Sequence, residues 1–113
     1  MNPLPDQELF EAMLLKTQDE RLPKVPEKIV VWFSASWCGP CRRVNAEELV
    51  SSCPGITFYK CDVDENNYTA GYCGVRSIPA FLALSKGKVL GTYQNSTTEY
   101  IANWINEVFT TQK

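Results

Sequence analysis

IVVWFSASWCGPC, residues 29–41, runs a nearly unbroken apolar stretch straight into two cysteines three positions apart. Its first half, IVVWFSA, is rich in β-branched and aromatic residues with no polar alternation. That is the pattern of a strand buried on both faces at the centre of a sheet. Cys38 and Cys41 enclose Gly39-Pro40, with Trp37 before them and Arg42-Arg43 after. Such a pair is a structural staple, half of a metal site or a reactive dithiol, and the rest of the chain decides among these.

With 113 residues, 44% hydrophobic and 21% charged, the chain has the size and composition of one ordinary globular domain spanning residues 1–113. A formal net charge of -2 with scattered basic residues argues against nucleic acid as a partner. No apolar run approaches the length of a membrane span, so no membrane partner is expected. MNPLPDQELFEAM, residues 1–13, has neither the basic start and apolar stretch of a secretory signal nor the arginine-rich character of a transit peptide. A cytoplasmic location is therefore expected.

Five cysteines, an odd number at irregular spacing, do not read as a secreted disulfide framework. Structural zinc needs four nitrogen or sulfur ligands, usually from two paired knuckles. With no histidine and no second C-x-x-C, metal is not expected. A dithiol couple is left, and it requires no bound cofactor.

The remaining elements follow from pattern. Residues 6–16 place Leu9, Phe10, Met13 and Leu14 at helical spacing behind an Asp6 N-cap. RLPKVPEK, residues 21–28, reads as a linker, and a helical segment follows the cysteines to about Ser52. ITFYKCDV, residues 56–63, is a second strand, and ENNYTAGYCG, residues 65–74, a short helix ending near Gly74. PAFLALS and KVLGTYQ, residues 79–85 and 88–94, are antiparallel strands turning at Gly87. Residues 98–109 close the chain as an amphipathic helix with Ile101, Trp104, Ile105 and Val108 on one face. The order is αβαβαββα, an α/β fold with a four- or five-stranded mixed sheet between helices.

That order, with WCGPC at residues 37–41, KCDVDEN at 60–66, Ile78-Pro79 and the hairpin Gly87, resembles the thioredoxin family over residues 6–109. Glutaredoxins typically carry CPYC and disulfide isomerases CGHC, so Gly39-Pro40 resembles the reducing branch. FSASWC, residues 33–38, is also similar to the tryparedoxin and nucleoredoxin group, which carries Pro-Pro between the cysteines. The resemblance implies a thioredoxin fold, a monomer, and a protein-disulfide reductase re-reduced by a separate NADPH-dependent flavoprotein, the thioredoxin reductase. It also implies a cis Ile78-Pro79 peptide bond, whose loop faces the cysteines and pairs with an extended substrate strand.

The chemistry accounts for the residue types. A free cysteine, with pKa near ~8.5, is mostly protonated at neutral pH. At a helix N-terminus Cys38 would meet unpaired N–H groups and the positive end of the macrodipole, which favour its thiolate. Cys38 is thus expected to be the attacking sulfur, and the more buried Cys41 to resolve the mixed disulfide. Gly39 lets a target backbone approach, Pro40 fixes φ in the first turn, and Trp37 forms a flat apolar wall. Trp37, Gly39, Pro40, Ile78, Pro79 and the 94–95 edge should form one mostly apolar substrate-binding surface.

Three departures from the family stand out. Six residues before the first cysteine, where the family usually has a buried aspartate thought to deprotonate the second, stands Trp32. Lys60, which faces that aspartate in the family, is expected to lose its partner. The helix after the cysteines lacks the family's kinking proline, and its apolar phase breaks near Asn45, so a bend is expected there. Asn95 replaces a usual groove glycine and should make the groove narrower and more polar.

Cys53 and Cys61 read as small buried hydrophobes. Cys73 follows an exposed-looking helix near the Pro79 loop, a position open to a regulatory role. NYT at Asn67 and NST at Asn95 match the glycosylation pattern and, with no secretory route expected, read as chance matches. Asp62 and Asp64 are placed at a strand end and turn. Beside the reductase reading stands a second one, a thioredoxin-fold binding or adaptor module with weak turnover, suggested by the missing aspartate.

Overall fold

Every residue from Ile29 to Ser34 is buried, and the strand they form, β2 (Lys28–Ser34), is the middle of the sheet. The structure is a computed structural model describing residues 1–111. Around β2 lie β1 (Asn2–Pro3), α1 (Gln7–Met13), α2 (Ala46–Ser52), β3 (Thr57–Asp62), α3 (Asn67–Tyr72), β4 (Ala80–Ser85), β5 (Lys88–Gln94) and α4 (Thr98–Thr110). The sheet has five strands in the order β1-β3-β2-β4-β5. β2 pairs parallel with β3 and antiparallel with β4, which sets Trp32 between Lys60 and Phe81. The expected α/β thioredoxin fold is present, with the fifth strand at the N-terminal edge.

Strand alternation divides the interior in two. Val30 and Trp32 face one core with Phe58, Phe81 and residues such as Leu49, Ile101 and Ile105 from α2 and α4. Ile29, Val31 and Phe33 face the other with Leu9, Phe10 and Met13 from α1. Each fully buried aliphatic or aromatic side chain contributes about 1.5–3 kcal/mol, and β2 supplies both cores at once. That double burial explains its continuous apolar run. On α4 the buried apolar set is Ile101, Ala102, Ile105 and Phe109, while Trp104 and Val108, expected on that face, are half-buried at its rim.

Local chemistry sets the element ends. Asp6 caps α1 by accepting from the Leu9 N–H at 3.0 Å. α1 stops at Met13 rather than near Lys16, because Leu15 turns the chain with φ 61°. β1 has no pattern to announce it in two residues. It pairs with β3 and is secured by the Leu4 N–H donating to the Lys60 carbonyl at 3.0 Å. Lys86 and Gly87 both have positive φ, 51° and 80°, the turn whose twist suits a two-residue hairpin between β4 and β5.

The expected break after the cysteines is real. Pro40–Arg43 form a short 3-10 turn, Val44 is extended, and Asn45 restarts the chain as the N-cap of α2, accepting from the Glu48 N–H at 3.0 Å. The Asn45 N–H donates to Thr98 Oγ1 at 2.9 Å, which ties the break to the start of α4.

Candidate active site

β2 delivers the chain to the edge of the sheet, and within four residues of its end stands Cys38. Cys38 and Cys41 are joined as a disulfide with their Cα atoms 5.3 Å apart. The 3-10 turn folds Cys41 back over Cys38, and its N–H donates to Cys38 Sγ at 3.2 Å. A continuous helix starting at Cys38 is therefore not what supports that sulfur. Four residues of 3-10 turn, closed by the extended Val44, carry little macrodipole. A directed N–H bond takes its place, and such bonds are stronger to a charged acceptor than to a neutral one.

The expected difference in burial between the two cysteine residues is also absent. Cys38 is 3% exposed and Cys41 4%. What differs is their surroundings, since Cys38 lines an open groove of about 430 Å³ and Cys41 does not. Trp37, Gly39 and Pro40, all exposed, border that groove beside Cys38. Ile78 borders it too, and the Ile78-Pro79 bond is cis. The Ile78 carbonyl oxygen lies 3.8 Å from Cys38 Sγ. Pro79 itself is buried and does not line the groove.

The groove is completed by residues the sequence did not mark. Val63, Ala70 and Val75 add apolar lining, with Arg76 and Ser77 beside Ile78. They come from α3 and from the β3–α3 and α3–β4 connections, which only the folded sheet brings to Cys38. The 94–95 edge lies outside this groove. Asn95 accepts from the Thr97 N–H at 2.8 Å and donates to the Tyr93 hydroxyl at 3.2 Å, so its amide serves its own loop and does not narrow the groove.

Asp62 ends β3 and Asp64 sits in the turn after it, as expected. Asp64 has a further role, because its Oδ2 accepts from Trp37 Nε1 at 2.8 Å. The indole is 65% exposed and would otherwise swing freely. Among the described residues no cluster of His, Cys, Asp or Glu side chains could hold a metal ion.

Trp32 is 4% exposed, stacks on Phe81 with ring centres 5.8 Å apart, and shares one core with both site cysteines. Its Nε1 is buried without a hydrogen-bond partner. Lys60 has not lost its neighbour across the strands. Its ammonium nitrogen lies 4.7 Å from the centre of the indole ring, a cation–π contact where an ion pair was expected to be missing. The buried polar residues described are Ser34, Asn66, Thr69, Ser85 and Thr98, with no carboxylate among them.

The other thiols are held protonated at neutral pH. Burial pushes Cys61 up to about 12 and Cys73 up to about 11, and it raises Cys53 as well. Cys53 and Cys61 are buried, as expected, with Sγ 3.9 Å from the Ala102 carbonyl and 3.6 Å from the Asn66 carbonyl respectively. Cys73 is half-buried against the second core, a poor setting for a reactive thiol.

Comparison with known proteins points the same way. The sequence model of the family described as thioredoxin matches residues 11–107. A thioredoxin of Geodia cydonium is 40% identical over 91 residues, covering 75% of this chain and 86% of that protein. The crystal structure of oxidised mitochondrial thioredoxin 3 from Saccharomyces cerevisiae superposes with a TM-score of 0.79 at 27% identity, covering 95% of this chain and 94% of that one. Fasciola hepatica thioredoxin gives a TM-score of 0.78 at 28% identity, over 95% and 98% of the two chains.

Proposed function

The chain belongs to the thioredoxin family and is a thiol–disulfide oxidoreductase, and from that premise we propose that it works as a reductase of protein disulfides. The Cys38 thiolate attacks one sulfur of a target disulfide, forming a mixed disulfide and expelling the target's other sulfur as a thiolate that takes up a proton. Cys41 then gives up its proton to solvent and attacks Cys38 Sγ. The Cys38–Cys41 bond forms and the second target thiolate leaves, so two electrons have passed to the target. A separate NADPH-dependent flavoprotein reductase returns the couple to the dithiol.

The observation that carries this reading is the placement of Cys38 in an open, mostly apolar groove, beside the Ile78 carbonyl and in hydrogen-bond reach of the Cys41 N–H. Trp37, Gly39, Pro40 and Ile78 bind the target segment, and Pro79 acts behind them by holding the loop. A reducing compartment such as the cytoplasm suits a protein whose Cys53, Cys61 and Cys73 stay free. The protein works as a monomer.

Insulin reduction with dithiothreitol tests the proposal. Turnover should vanish in Cys38→Ser, and Cys41→Ser should accumulate mixed disulfides. The binding-module reading is favoured only by the missing carboxylate near Cys41. It would be preferred if the wild-type protein bound targets but failed to accelerate insulin reduction.

A further inference from the structure

The groove beside Cys38 contains one charged side chain. Arg76 is exposed, and among the described residues it takes no part in the ion pairs, which join Arg21 to Asp6 and Asp19. Asp64, Arg42 and Arg43 lie outside the lining. Asp64 accepts from Trp37, and Arg42 donates to the Ser36 carbonyl at 3.0 Å. Arg76 is the one charged residue of the lining, and with no ion-pair partner among the described residues its guanidinium is an open site for a carboxylate.

Position gives the site its register. Arg76 is two residues before Ile78, whose carbonyl is 3.8 Å from Cys38 Sγ. A target segment lying extended along this loop advances about 3.3 Å per residue, so with its cysteine at Cys38 it brings the residue about two positions away within the reach of an arginine side chain. We propose that Arg76 is a specificity residue that favours target disulfides carrying Asp or Glu about two positions from the attacked cysteine. This rests on the reductase reading above and adds a substrate preference to it.

Three matched peptides, each joined by a disulfide to the same small thiol, test the proposal. They carry Glu, Gln or Lys two positions on either side of the cysteine. For each, kcat/KM is divided by the rate with dithiothreitol alone, so that the intrinsic reactivity of the peptide cancels. The wild-type protein should prefer Glu over Gln and Gln over Lys by about two- to fivefold per step at low salt, as for a partly exposed ion pair. The preference should shrink in 0.5 M salt, where the screening length is only about 4 Å. Arg76→Gln should flatten the order and Arg76→Glu should invert it.

Equal normalised rates for the three peptides with the wild-type protein would overturn this inference and leave the reductase reading standing. An unchanged Glu preference in Arg76→Glu would also overturn it, by placing the selectivity on another charge. Failure to reduce any of the peptides, or insulin, would remove both.

Discussion

Lys60 holds its ammonium nitrogen over the ring of Trp32, 4.7 Å from its centre, across the parallel pair β2–β3. The indole face is electron-rich, so it accepts a cation without offering a proton acceptor. A double-mutant cycle of Lys60→Met and Trp32→Leu, followed by urea unfolding, should give a coupling of about 0.5–1 kcal/mol, the range for a cation–π contact with an exposed lysine. A coupling near zero would mean that the contact adds nothing to stability.

The hydrogen bond from Trp37 to Asp64 should matter for targets more than for folding. Asp64→Ala releases an exposed indole, so unfolding should shift by no more than about 0.5 kcal/mol. The KM for a protein disulfide should rise roughly two- to fivefold through loss of one charge-assisted bond, with kcat little changed. Asp64→Asn keeps an acceptor and should recover most of the loss. An unchanged KM in Asp64→Ala would show that the wall needs no anchor.

The central strand, the dithiol and the hairpin were legible because each has a dense local signature: continuous burial in residues 29–34, the C-x-x-C spacing, and Gly87 between two apolar runs. Even the break at Asn45 was readable, since apolar residues before and after it fall on different helix faces. β1 was not, because two residues cannot show a period and its security comes from the distant Lys60 carbonyl. The groove residues Val63, Ala70, Val75 and Arg76 were hidden for the same reason, as their meeting with Cys38 is made by sheet topology. Lys60 was misjudged because an ion pair is only one way to hold a cation, and the indole that removed the carboxylate supplies another.

Alkaline stability follows from the buried thiols. Folding raises Cys61 to about 12 and Cys73 to about 11, while an unfolded cysteine titrates near ~8.5. Below that unfolded value the stabilising effect is fully present. Above it the unfolded chain loses protons that the folded chain keeps, so stability falls as pH rises towards 11 and 12. The slope is at most about 1.4 kcal/mol per pH unit for each thiol. Urea midpoints of the oxidised protein between pH 8 and 10.5 should drop less steeply in Cys61→Ala than in the wild type. Tyr59, also raised by burial, titrates in both proteins and cancels in the comparison.

Gly87 is required by two constraints at once. Its φ is 80°, and a Cβ there would come within 2.9 Å of the Leu14 carbonyl oxygen and the Leu15 side chain. Gly55, with φ 83°, would place a Cβ in open space. Gly55→Ala should therefore cost only the left-handed backbone penalty, about 1–2 kcal/mol. Gly87→Ala should cost more, because the backbone after α1 must also move. Equal losses by urea unfolding would show that the hairpin does not press on that turn.

The sharpest consequence of Trp32 concerns the second chemical step. In the proposed mechanism Cys41 must lose its proton as it attacks Cys38 Sγ, and no carboxylate is among the buried residues described around it. The Trp32 Nε1–H can only donate, so it cannot take that proton. Water is left as the acceptor, and the rate of resolution should follow the fraction of Cys41 present as thiolate. Under conditions where resolution limits turnover, the rate should climb about tenfold per pH unit for as long as Cys41 is mostly protonated. Introducing an acid by Trp32→Asp is a poor rescue. It empties an indole-sized space at a cost of about 3–5 kcal/mol and leaves the new carboxylate among apolar side chains with Lys60 as its partner. The wild-type profile is the cleaner measurement: a rate that stays flat from pH 6 to 9 would mean that another group accepts the proton from Cys41, and the role assigned to Trp32 would fall.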